Sequence, residues 1–252
     1  MLGERNPGER KQRADGERTR EAIVRQAVSL ATVDGLEGLS IGNLAGALDM
    51  SKSGIYAHFG SKQELQLATV DEAGRIFRAE VIAPALAAEP GLAQLVAVCD
   101  AFFDHLVRRT FPGGCFFAGA VLEMGTRPGP VKEEVAAFQR EFTALIRQFI
   151  VAALDRRELP ADEDPDALTF ELNGIILAAN SNFVLRDDAA GLASSPIPPI
   201  HVASNRARSS SRPSPTPRGP RCSSPPSRSS STWARSRATP RSSLGSSAYL
   251  RW

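Results

Sequence analysis

The chain has 252 residues and a formal net charge of only +2, a balance that hides 20 basic against 28 acidic residues over 1–195 and 10 arginines with no acid over 196–252. Its 3 cysteines, Cys99, Cys115 and Cys222, form no C-x-x-C pair and no metal-ligand spacing, which argues against a disulfide framework or a zinc site. No apolar signal-peptide core follows the charged N-terminus, and no uninterrupted apolar run reaches the roughly 18 residues of a membrane span, so the reducing cytoplasm is the expected setting.

Residues 1–18 are polar and mixed in charge and read as a flexible N-terminal arm; Arg13, Arg18 and the neighbouring Arg20 read as a solvated leader that lies within reach of phosphates. Thr19 then caps a helix with Ile23, Ala27, Leu30 and Ala31 on one face, ending at Asp34-Gly35. Ser40 caps a second helix, whose Ile41, Leu44, Ala45 and Leu48 fall at i, i+3, i+4 and i+7. Ser51 is the next N-cap, with Met50 and Ile55 spaced as a hydrophobic staple, so a third helix begins at Lys52. Ile55 and Phe59 face inward on it, leaving Lys52, Ser53, Tyr56 and Ala57 outside. Gly60 closes this helix, and the S-x-x-E of Ser61 and Glu64 starts a fourth with Lys62 in its first turn. Ile23, Leu30, Leu44, Leu48, Ile55 and Phe59 supply the core of such a three-helix unit.

Two helices joined by a turn of about three residues, the second with a small polar outer face, form a helix-turn-helix. The stretch Leu39 to Lys62, with Tyr56, His58-Phe59 and Ser61-Lys62, resembles the DNA-binding domain of TetR-type transcriptional repressors, and the match runs from Thr19 to about Leu67. The resemblance implies an all-α protein: a helix-turn-helix domain over 19–67 and a helical-bundle regulatory and dimerisation domain over 68–194. Lys52 and Ser53 are placed to reach base edges or phosphates, Gly54 lets the backbone approach closely, and Tyr56 carries a hydroxyl suited to a phosphate. Matching family positions contact DNA, as do those of His58 and Lys62, while Ser40 caps its helix and lies where a phosphate would pass. Ala57 departs from the larger residues common in the family, so base readout is expected to be sparse. The implied partners are a palindromic double-stranded operator, a second copy of the chain and a small-molecule inducer.

Beyond the motif, the helix from Ser61 is expected to run past Phe77 to about Val81 and to end at Ala83-Pro84-Ala85. Pro90 reads as the first residue of a helix with Leu92, Leu95, Val96, Cys99, Phe102, Phe103 and Leu106 inward, broken at Phe111-Pro112-Gly113-Gly114. An apolar segment, Cys115 to Met124, follows. Pro130 opens what reads as the longest helix, with Val131, Val135, Phe138, Phe142, Leu145, Phe149 and Ala152 spaced alternately by four and three. Asp164 and Pro165 start the next, through Leu168, Leu172, Ile175, Ala179 and Phe183 to about Arg186; by resemblance it is a candidate for the dimer surface. After Ser194 the chain turns to Ser, Pro and Arg and reads as a disordered tail over 195–252, of a composition that shifted GC-rich codons would give. Such a tail also offers an alternative function, non-specific nucleic-acid binding.

The aromatic residues of the second domain suggest an apolar pocket: Phe102, Phe103, Phe116, Phe117, Met124, Phe138, Phe142 and Phe170, with His105, Glu123 and Asn173 as the polar groups that could orient a ligand. Taken singly, each aromatic residue is better explained by bundle packing, and each polar one by a structural or exposed place. Cys115, in Pro-Gly-Gly-Cys, reads as a loop thiol open to oxidants or, more plainly, as a small packing residue. No strand-turn-helix elbow accompanies any nucleophile, and no cofactor, metal or catalytic constellation is implied. The expected function is a ligand-responsive repressor released from its operator by a small or reactive inducer.

Overall fold

A computed structural model describes residues 7–187, with side chains from residue 14 onward. The expectations for the disordered tail and its nucleic-acid binding fall outside these residues. Among the described residues the chain is entirely helical: α1 Pro7–Asp34, α2 Ile41–Leu48, α3 Lys52–Phe59, α4 Lys62–Phe77, a π-helical turn Arg78–Ile82, α5 Ala83–Ala87, α6 Leu92–Val107, α7 Phe116–Met124, α8 Pro130–Asp155 and α9 Pro165–Arg186.

Two apolar clusters organise these helices. In the head, Ile23, Val24 and Ala27 of α1 meet Leu39, Ile41, Leu44, Ala45, Ile55, Phe59 and Leu65, with Leu30 and Leu48 only half-buried at the margin. In the body, Val28 and Ala31 of α1 and Val70, Ala73 and Phe77 of α4 join the inward faces of α6 to α9. Both long head helices therefore hand their C-terminal turns to the body. Arg25 on α1 and Glu72 on α4 reinforce that pairing at 3.5 Å.

Several sequence expectations are corrected. Helix α1 starts at Pro7, not Thr19, and at 28 residues it exceeds α8 at 26. Glu, Arg, Lys, Gln and Ala dominate residues 8–15, and these are good helix formers behind a proline that fits a first turn. Thr19 caps nothing; its hydroxyl donates to the Asp15 carbonyl 2.9 Å away, inside the helix. Pro84 does not end the helical path either. It lacks the N–H that would bond the Glu80 carbonyl, and the π turn immediately before it absorbs that gap, with the Ala83 N–H donating to the Arg78 carbonyl.

Helix α6 begins at Leu92, two residues after Pro90, with Gly91 at φ 100 as its cap. The Glu158 carboxylate accepts from the Leu92 N–H at 2.8 Å, serving the cap that glycine cannot. Val96 is exposed and Val98 buried, one step along from the expected face. On α8 the buried row runs Val131, Val135, Phe138 and Phe142, then Ile146, Phe149, Ile150 and Ala153. Leu145 and Ala152 drop out because a straight α-helix turns 3.6 residues at a time and drifts off a strict heptad within two repeats.

Asp164 caps α9 by accepting from the Asp166 and Ala167 N–H groups, and Pro165 takes the first helical position. The expectation that no uninterrupted apolar run reaches about 18 residues holds for α9, which Asp166, Glu171, Asn173, Asn180 and Asn182 interrupt, although by length and mean composition the helix could cross a membrane. Its core face, Leu168, Leu172, Ile176, Ala179 and Phe183, is nevertheless packed in the body. The remaining apolarity comes from an outward row: Phe170, Leu177, Val184 and Leu185.

Candidate nucleic-acid interface and body cavity

The turn between α2 and α3 is three residues, Asp49 to Ser51, and local side chains and backbone fix both of its ends. Ser40 Oγ accepts from the Asn43 N–H at 3.0 Å, and Ser51 Oγ from the Gly54 N–H at 3.0 Å. Asp49 adopts the left-handed conformation, φ 51, that closes α2, and Gly60, φ 62, closes α3. Ile55 and Phe59 seat α3 on the head core, with Arg20 lying 4.8 Å over the Phe59 ring. Lys52, Ser53 and Tyr56 stand outside, Tyr56 at 52% exposure; Gly54 and His58 are half-buried beside them. A side chain built at Gly42 would lie 3.7 Å from Lys52 Nζ and 3.8 Å from Ser40 Oγ. The bare backbone of α2 thus separates two polar groups on one surface, open to a duplex.

Lys62 does not stand free at the start of α4. Its ammonium donates to the Glu37 carbonyl at 2.6 Å and pairs with the Glu37 carboxylate at 3.3 Å. Gln66 donates to the Leu36 carbonyl at 2.8 Å and to Glu37 Oε1 at 3.3 Å. The Gln66 hydrogen bond, opposed by burial and aided by Lys62, holds the Glu37 carboxyl below its usual range. The loop between α1 and α2 is in this way tied to α4, the helix that carries the head into the body.

The same loop is held from the other side by Glu123, which corrects the expectation that this residue orients a ligand. From the end of α7, its carboxylate accepts from the Leu36 and Glu37 N–H groups, each at 2.8 Å. Gly35, at φ 79, permits the approach, since a Cβ there would lie 2.9 Å from the carboxylate oxygens. Sequence spacing gives no sign of this contact, which joins residues 87 and 86 positions apart.

In the body, α4, α6, α7, α8 and α9 surround a cavity of about 290 Å³. Of the sequence candidates, Phe102, Phe117, Phe138, Phe142, Phe170 and Asn173 line it, together with Phe77 and Gln139, which the sequence reading did not place there. Phe103, His105, Phe116, Glu123 and Met124 do not line it. Phe116 and Met124 are buried in the core, and Phe103 packs at its margin.

His105 is 1% exposed and has a structural partner: its Nδ1 lies 2.8 Å from Glu80 Oε2, which also accepts from Thr110 Oγ1 at 2.7 Å. Burial lowers the His105 pKa, against the opposing pull of Glu80, and the 2.8 Å contact puts a proton on Nδ1, donated to the Glu80 carboxylate. Nε2 has no hydrogen-bond partner among the described residues and lies beside the Phe77 and Phe111 rings. Cys115 follows the plainer of its two readings, a small packing residue, and is not an exposed loop thiol. It is 5% exposed, lines the cavity, and burial pushes its pKa up to about 11, so thiolate is scarce at neutral pH. Its N–H donates to Asn180 Oδ1 at 2.8 Å, fixing the start of α7 against α9.

Comparison with known proteins decides what this pairing of head and body represents. Residues 23–69 match the family model of bacterial regulatory proteins of the tetR family, and residues 91–195 match that of the tetracyclin repressor-like C-terminal domain. The chain belongs to the TetR family. Its head is that family's helix-turn-helix DNA-binding domain, and the chain is a transcriptional regulator. A TetR transcriptional regulator from Chloroflexus aurantiacus J-10-FL is 26% identical at a TM-score of 0.65, over 78% of this chain and 95% of that one. A TetR-family regulator from Streptomyces coelicolor, 23% identical at 0.62 over 79% and 97%, shares the fold. So does AibR, solved in complex with isovaleryl coenzyme A and operator DNA, 19% identical at 0.55 over 74% and 95%. No curated protein matches the chain by sequence.

Proposed function

We propose that the chain is a ligand-responsive repressor that binds a two-fold symmetric operator as a homodimer and leaves it when a small molecule occupies the body cavity. The observation that carries this reading is the double attachment of α7. One face of that helix, Phe117, Ala118 and Val121, lines the cavity, and its end holds the α1–α2 loop through Glu123. The loop is in turn bonded to Lys62 and Gln66 at the start of α4, whose last residue, Phe77, is part of the cavity wall. A ligand that binds better to one arrangement of α7 and α4 than to another must change operator affinity by the same factor.

On this reading Lys52, Ser53, Gly54 and Tyr56 enter the major groove, Ser40 and Lys62 meet the flanking phosphates, and His58 braces Phe59. The two heads would enter successive major grooves roughly 34 Å apart. That AibR was solved with both a small molecule and operator DNA supports two linked sites on this fold. Selection of bound fragments from a random DNA library with the purified protein tests the proposal. A two-fold symmetric consensus is expected; recovery of fragments without any shared sequence would defeat it.

A further inference from the structure

The cavity is unusually restricted in chemistry. Six phenylalanines, Phe77, Phe102, Phe117, Phe138, Phe142 and Phe170, form most of its wall, and its lining includes no Asp, Glu, Lys, Arg or His. Phe77 is the hub: its ring meets Phe117, Phe138 and Phe142 edge-on with centroids 6.0, 5.5 and 5.2 Å apart. Phe117 and Phe138 stack at 3.6 Å. Rings arranged by face and edge offer the contacts that another flat aromatic system takes up.

Two side-chain amides, Gln139 and Asn173, and the protonated Cys115 thiol add polarity. Asn173 Nδ2 is committed to the Thr169 carbonyl at 2.9 Å, so that residue offers its carbonyl oxygen, while Gln139 brings both a donor and an acceptor. Phe170, Gly174 and Leu177 leave one side of the cavity open to solvent, but an ion seated against the buried rings of Phe77, Phe102 and Phe142 would lose much of its hydration without gaining a counter-charge from the lining. Outside the lining, the Arg78 guanidinium lies 5.2 Å over the Phe138 ring and pairs with Glu141 at 3.0 Å, and two more guanidinium groups belong to an adjoining groove that shares Gln139, Phe170 and Asn173 with the cavity. There Arg147 is held by Asp166 at 2.6 Å, and Arg140 lies alongside.

Resting on the proposal that this cavity is the effector site, we infer that its ligand is an uncharged aromatic molecule with a single hydrogen-bonding group that meets the Gln139 or Asn173 amide. An organic acid, an acyl thioester with an anionic carrier, or an amine would not fit the lining. Gly174 provides a clean way to close the site. It lines the cavity from an exposed position on α9, and a Cβ there meets no atom within 4 Å.

The test is calorimetric titration of the full chain at pH 7.5 with two probes of matched shape, 2-acetylnaphthalene and 2-naphthoate. The ketone is expected to bind, the carboxylate to bind at least about tenfold more weakly, and Gly174→Leu to weaken ketone binding by about tenfold or more without altering the helical circular dichroism. Val121→Phe, which fills the cavity from α7, should act in the same direction. Carboxylate binding as tight as that of the ketone and abolished by Arg140→Ala would overturn the inference in favour of an anionic ligand. Ketone binding that survives both filling variants, or no ketone binding at all, would overturn it too. Operator binding by the unliganded protein is measured in parallel: its loss strikes the repressor reading, whereas failure of the titration with operator binding intact strikes only the ligand class.

Discussion

A hydroxyl and an ammonium on the outer face of α3 report different things about DNA. Tyr56 is exposed and its hydroxyl bonds to no other described residue, so if it meets a phosphate as proposed, Tyr56→Phe removes that hydrogen bond while leaving the fold alone; binding about tenfold weaker on every operator variant is expected in a gel-shift titration. Lys52→Ala removes a cation, and the plot of log affinity against log salt should flatten by about 0.9. An unchanged slope would take Lys52 off the contact list. Lys62 gives a less pure readout, because its ammonium also holds the Glu37 carbonyl.

Deeper in, His105 links charge to stability. Its folded pKa is depressed by burial, so below its ordinary value near 6.5 the unfolded chain binds the proton more readily than the native one. Stability is therefore complete above about pH 6.5 and declines as acid is added towards the depressed folded value, by at most about 1.4 kcal/mol per pH unit for this one proton. His105→Asn keeps a donor for Glu80 without a titrating group. Urea midpoints from pH 5 to 7.5 should be flatter in that variant than in the parent, though lower overall.

At the scale of the helix, α7 is held at both ends, by Asn180 at its start and by its own Glu123 on the α1–α2 loop. Glu123→Ala leaves the Leu36 and Glu37 N–H groups without their acceptor and is expected to lower stability by about 1–2 kcal/mol. The more telling readout is operator affinity, which should fall while α3 itself is untouched, and inducer binding should no longer change it. Equal response to inducer in the variant and the parent would remove Glu123 from the coupling route. Gly35→Ala should reproduce the defect, since φ 79 and the carboxylate at 2.9 Å leave no room for a methyl group.

The elements themselves were largely legible because their starts are written locally: Ser40, Ser51, Ser61 and Asp164 each cap the helix that the spacing of apolar residues predicts. Contacts across the chain were not. Glu123 sits in an apolar segment with no partner nearby in sequence, and Gln139 and Phe77 look like ordinary helix residues until α4 and α8 are packed together. Pro84 misled for the opposite reason: a strong local stop signal was absorbed by a π turn that only the packing of Val81 and Ala85 into the body makes worthwhile.

For the molecule as a whole, the outward row of α9 sets the last expectation. Leu185 is 84% exposed and Phe170 80%, with Val184 and Leu177 between them, on a helix whose other face is already core. Apolar area of that kind along one helix is costly to leave in water and is suited to pairing with its own copy about a two-fold axis. Leu185 lies outside the cavity lining, so Leu185→Glu places a charge in the proposed seam without touching the ligand site. Light scattering should show the parent at twice the chain mass and the variant shifted towards one. Operator binding should weaken far more than any single α3 substitution weakens it, because a lone head loses the second half-site and the effective concentration that joins the two. A variant that stays dimeric and binds its operator normally would move the seam off α9, and with it the expected spacing of the heads.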